Sequence, residues 1–124
     1  MNSVLIGQRG LVHVWGRNNM ANTQRMGIDW TVKDPDGGVV ETHTEFEMWP
    51  YTSPGSDHEF IGGRFDLNKV GTWTIKVELL MNPDDPVVVD TYNGVLCVVT
   101  EEFAGTITKK ELEYDETRGD IPVT

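Results

Sequence analysis

Met26-Gly27-Ile28-Asp29-Trp30-Thr31-Val32-Lys33, followed at once by Asp34-Pro35-Asp36-Gly37-Gly38, decides how the rest of the chain is read. Met26, Ile28, Trp30 and Val32 alternate with Gly27, Asp29, Thr31 and Lys33, the period of two of a half-buried strand. The five residues that follow supply a proline with φ held at about −65° and glycines that tolerate positive φ. The pattern predicts a hairpin joining residues 26–33 to residues 39–44.

The same period recurs on both sides. Trp73, Ile75, Val77 and Leu79 alternate with Thr72, Thr74, Lys76 and Glu78. In Leu11-Val12-His13-Val14-Trp15, two valines take one face and Leu11, His13 and Trp15 the other. Phe60, Phe65 and Leu67 mark a further strand, in which Gly62-Gly63 predicts a bulge or a bend. The apolar run 87–99, interrupted at Asn93-Gly94, reads as one long bulged strand or two short ones. Turn chemistry at residues 82–86 and a longer loop at 50–56 separate these runs. No segment carries a helical stripe; residues 109–117, the best candidate, are polar all round. The expected fold is all-β: an antiparallel sandwich of about seven strands. Its predicted core is Val12, Val14, Met26, Ile28, Trp30, Val32, Phe60, Phe65, Leu67, Trp73, Ile75, Val77, Leu79 and Cys97.

The chain has 124 residues, 38% hydrophobic and 24% charged, enough for one domain with its own core. Residues 1–100 are expected to form the sandwich and residues 101–124 a polar C-terminal β-arm or added strand. The net charge of −10 argues against nucleic acid and anionic membrane as partners. It is uneven: +3 over residues 1–33, −9 over 34–100 and −4 over the arm. The single Cys97 excludes an internal disulfide and reads as a small buried hydrophobe. No apolar run reaches the roughly 20 residues of a membrane helix, and the N-terminus has no basic leader pattern. Synthesis in the cytoplasm is the expectation from that.

Three features together carry a resemblance. Val12-x-Val14 runs into Asn18-Asn19; Pro54-Gly55 precedes the strand with Phe60, Phe65 and Leu67; Leu67 is followed by Gly71-x-Trp73-x-Ile75-x-Val77. Over about residues 8–100 the chain resembles immunoglobulin-like sandwiches of the bacterial and archaeal cell-adhesion-related-domain type. The resemblance implies a core tryptophan at Trp30 and a sheet-to-sheet corner between Leu67 and Trp73. Gly71 would permit the tight turn there, and the Trp73 N–H would bond backbone across it. Gly16 departs from the pattern, standing where such domains have a branched apolar residue, and the arm has no counterpart.

Groups able to do chemistry are few. His13, His43 and His58 fall on different expected elements, and Asp57 and Glu59 beside His58 point to the opposite strand face. Asp34, Asp36, Asp84 and Asp85 suit turn geometry, with a structural calcium ion as the other use of such oxygens. Ser3, Ser53 and Ser56 lie in no nucleophile elbow. The expectation is no catalytic residue, no cofactor and no metal. Aromatic and apolar residues offer the candidate interaction surface: Trp15, Trp49, Tyr51, Phe103, Leu112 and Tyr114. The function read from this is a non-catalytic structural or assembly module working through protein–protein contacts. A repeating subunit of a virion or tail would suit it, self-associating through the arm. The alternative is a carbohydrate- or ligand-binding sandwich using exposed aromatics.

Overall fold

A computed structural model of the chain describes residues 3–101, 103 and 105–113. Seven strands follow one another: β1 (Ser3–Leu5), β2 (Arg9–Arg17), β3 (Gly27–Lys33), β4 (Val39–Phe46), β5 (Asp57–Asp66), β6 (Gly71–Met81) and β7 (Val87–Thr100). They form a β-sandwich of one five-stranded sheet, in the order β1-β7-β6-β3-β4, and one two-stranded sheet, β2-β5. No helix occurs among the described residues.

The hairpin read from the sequence is present, with Trp30 opposite His43 and Ile28 opposite Glu45 in β3–β4. Its turn is tied by Asp34, whose N–H donates to the Gly38 carbonyl at 2.9 Å. The Asp34 side-chain Oδ1 accepts the N–H of Asp36 at 2.9 Å and of Gly38 at 3.0 Å. At the Leu67–Trp73 corner the Trp73 indole N–H donates to the Lys69 carbonyl at 3.0 Å. Gly71 takes φ +133° there, a conformation L side chains rarely adopt.

Two pairings differ from a plain antiparallel arrangement. β1 runs parallel to the end of β7, Ser3 to Leu5 lying beside Val98 to Thr100. Gly7, at φ +93°, then turns the chain across to the second sheet, where β2 begins. β7 is one long strand, but its extra residues sit at Leu96 and Val89 and not at Asn93-Gly94. Each bulge flips the side-chain phase, so Leu96 and Cys97 are both at least half-buried while Val95 is exposed. The described residues beyond Thr100 form an arm without strand pairing.

The core joins Met26, Ile28, Trp30 and Val32 of the β3 segment to Phe60, Phe65, Leu67, Trp73, Ile75, Val77 and Cys97. Met81 and Val99 belong to it as well, whereas Val14 and Leu79 are only half-buried because no strand covers them on one side. β5 crosses above β3 and β4, and the bulge expected at Gly62-Gly63 is what brings it there, since those two residues together oppose Val12. A Cβ on Gly62 would lie 2.7 Å from Trp30 Cζ2 and 2.7 Å from Glu41 Oε1. Glu41 fastens the contact: Oε1 accepts the Gly63 N–H at 2.8 Å, and Oε2 accepts the Trp30 indole N–H at 3.3 Å.

Gly62→Ala should therefore lower unfolding stability by about 1–3 kcal/mol, the usual cost of overpacking. Gly63→Ala, whose new methyl would meet nothing closer than 3.7 Å, should stay within about 1 kcal/mol of wild type. Urea unfolding followed by tryptophan fluorescence measures both; equal losses would contradict the close approach at Gly62.

Candidate functional site

With β5 above β3 and β4, β2 reaches only as far as β6. Gly16 explains how close it comes: a Cβ there would lie 2.6 Å from Leu79 Cδ1, so the glycine leaves room for the leucine of the facing sheet. Beyond Leu79 the sandwich is uncovered. A groove of about 610 Å³ runs between β2 and the β6–β7 half of the large sheet. Val14 and Gly16 of β2, Val77 and Leu79 of β6, and Tyr92 and Leu96 of β7 line it. Arg17, Asn19 and Asp90 add polar groups. The size lies in the range of about 300–1,000 Å³ typical of binding pockets.

Both borders of this open side are strand edges with unused backbone groups. Among the described residues β2 pairs only with β5, and β7 beyond β6 pairs only with β1, over Val98–Thr100. Val87, Val88, Val89 and Tyr92 on the unpaired stretch of β7 are all exposed. Trp15, 61% exposed, is among the groove-lining residues, and its ring stacks on His13 at a centroid distance of 6.0 Å. His13 Nδ1 lies 3.0 Å from Glu59 Oε2 across the β2–β5 pair. Next along β2, Arg17 Nε donates to Asp57 Oδ1 at 2.7 Å, and this hydrogen bond raises the guanidinium pKa further.

The other expected aromatics belong to a separate surface. Trp49, 79% exposed, and Tyr51 lie in the loop between β4 and β5, held by a buried polar cluster beneath. Glu47, almost fully buried, accepts the Met26 N–H at 2.8 Å and the Thr52 hydroxyl at 2.8 Å. Asn18, fully buried, donates to the Asn22 and Thr52 carbonyls and accepts the Met20 N–H. Tyr51 already has a partner: Arg25 sits 5.5 Å from its ring and 5.9 Å from that of Phe46. On the arm, Phe103 and Leu112 are exposed; Tyr114 lies outside the described residues. The groove itself was not foreseen, nor was Tyr92. The weak signal for them was that Val87-Val88-Val89 breaks the alternation seen elsewhere.

The histidines stay apart. Glu59 goes to His13, Asp57 to Arg17 and Glu45 to His43 at 2.9 Å. His58 instead faces the ring of Phe60 edge-on, with Glu47 Oε1 3.8 Å away. Among the described residues no three His, Cys, Asp or Glu groups are placed to hold one metal ion. In the Asp34–Gly38 turn the cation is a side chain: Lys69 Nζ lies 3.0 Å from Asp34 Oδ2 and 3.0 Å from Asp36 Oδ2. The Lys69 hydrogen bond, helped by the turn N–H groups, lowers the Asp34 pKa, and the two carboxylates raise that of Lys69. Burial pushes the Cys97 thiol pKa up, leaving it a packed apolar group.

The fold defines the class, a β-sandwich with one side uncovered. No protein-family profile matches the sequence, and no curated protein matches it by sequence. The solved structures that share the fold include two worth setting beside it. One is the C-terminal domain of wzt, at a TM-score of 0.54 and 16% identity over 90% of this chain and 74% of that one. The other is a beta-glucuronidase from glycoside hydrolase family 2, at a TM-score of 0.51 and 17% identity over 73% of this chain. The match spans a tenth of that enzyme's length.

The turn gives a pH dependence with a definite sign. A carboxylate whose folded pKa is depressed stabilises fully above its unfolded value, about 3.9, and loses that contribution as pH falls through the folded value. The stability difference between wild type and Asp34→Asn should be constant above about pH 5 and shrink steadily in acid below about pH 4. Thermal unfolding at a series of pH values measures it. A difference unchanged down to pH 2 would show that the Asp34 charge is not used.

Proposed function

We propose that this protein is a non-catalytic binding module whose work is contact with other polypeptide, made along the open side of the sandwich. One observation carries the reading: an apolar groove bordered on both sides by strand edges with unpaired backbone groups. Unpaired N–H and C=O groups in register recruit an extended chain, and an apolar trough beside them takes its alternate side chains. A sugar would instead use aromatic platforms with polar groups converging on one ring. The strongly acidic charge makes nucleic acid and anionic lipid poor partners. In its finest form the reading is a repeating subunit of a larger assembly, such as a virion or tail, built on an immunoglobulin-like unit of the cell-adhesion-related type.

The second reading, carbohydrate binding, has its own support: Trp15 and Tyr92 stand exposed at the groove. One structural neighbour is a beta-glucuronidase by name. Against it, Trp49 and Tyr51 lie in the β4–β5 loop away from that groove, and Tyr51 is occupied with Arg25.

Tryptophan emission separates the two, because Trp15 borders the groove. Titration of the full chain with neutral and acidic oligosaccharides at millimolar concentration should leave the emission unchanged. A saturable change that disappears in Trp15→Ala would replace the protein-contact reading with the carbohydrate one.

A further inference from the structure

The outer edge of β7 is unpaired over most of its length among the described residues. β1 covers it only from Val98 to Thr100. Between Val87 and Val95 this stretch exposes Val87, Val88, Val89, Tyr92 and Val95, with Asp90 as its one charge. Natural sheets seldom leave a long apolar edge unprotected unless something pairs with it. The same chain carries an unmatched complement. Phe103, Ile107 and Leu112 of the arm are 83%, 89% and 85% exposed, and Thr106-Ile107-Thr108 is a strand-forming sequence.

Building on the protein-contact reading, we infer that the open side receives the C-terminal arm of a second copy of this chain, added as a strand along Val87–Val95. The arm's apolar residues would turn into the groove. The arm's starting point favours a neighbour over its own chain. Directly beside Thr100, the place where a returning strand would begin is filled by β1: the Ile6 N–H donates to the Thr100 carbonyl at 2.8 Å, and the Thr100 hydroxyl to the Val4 carbonyl at 3.4 Å. The arm cannot fold straight back along its own β7, and in the single chain it leaves both its apolar residues and the groove uncovered. Exchange between two copies is reciprocal, each giving an arm and receiving one, so the pair closes with two-fold symmetry.

The experiment uses the full chain throughout. Light scattering over a range of concentrations reports mass, and hydrogen–deuterium exchange reports protection of the amides in residues 87–95. The expected result is a two-copy mass and protection of those amides that increases with concentration. Ile107→Asp with Leu112→Asp, and separately Val89→Lys, should each restore a one-copy mass and fast exchange; all three positions are solvent-exposed in the single chain. A one-copy mass at every concentration overturns the inference, and so does β7 protection that depends on the arm but not on concentration, since the arm is then seated at home. A two-copy mass lost in Val89→Lys but unaffected by the arm substitutions also overturns it, while leaving protein contact at the open side standing. The oligosaccharide titration is the result that would remove that underlying reading instead.

Discussion

Trp30 meets the backbone of β5 at Gly62, and the placement of the second sheet follows from that contact. A side chain of any size on Gly62 would hold β5 away from Trp30. With glycine there, the bulge drops the strand onto the indole, and Glu41 ties both to β4 through the Gly63 N–H and the Trp30 N–H. The smaller sheet is thereby fixed over β3 and β4. Two strands cannot also span β7, so fastening one side of the sandwich leaves the other uncovered. The groove is a geometric result of the clasp and not a separate feature added to the fold.

Much of this was legible locally. The alternation of Met26, Ile28, Trp30 and Val32 places one face inward whatever the partner strands are, and all four are buried. Asp34-Pro35-Asp36-Gly37-Gly38 specifies its own turn through side-chain bonds to nearby N–H groups. Gly62-Gly63 announced a bulge, and Trp73 reached the corner backbone four residues earlier, at Lys69. These are short-range properties, decided by residues within a few positions of one another.

What escaped the sequence is non-local. The three residues of β1 show no pattern of their own; they become a strand only because the end of β7 lies beside them. The bulges of β7 fall at Val89 and Leu96, where the register against β6 requires them, and not at the residues most tolerant of one. Which edges stay unpaired depends on sheet order, and sheet order depends on contacts such as Trp30 with Gly62, 32 positions apart in sequence. Of the six residues singled out beforehand, Trp15 marks the groove, while Tyr92 opposite it stood in a run that looked like strand interior. The aspartates of the hairpin turn had a cation in prospect; the fold supplies it as Lys69, from 35 residues away.

The buried carboxylate of Glu47, with Asn18 and Thr52, has a consequence for the surface above it. It anchors the loop bearing Met48 and Trp49 while both side chains stay in solvent, and neither of them is among the residues that line the groove. On the proposal that the uncovered side receives another polypeptide, Met48 and Trp49 would remain in solvent as a second apolar patch, the feature that would distinguish a connector from a cap.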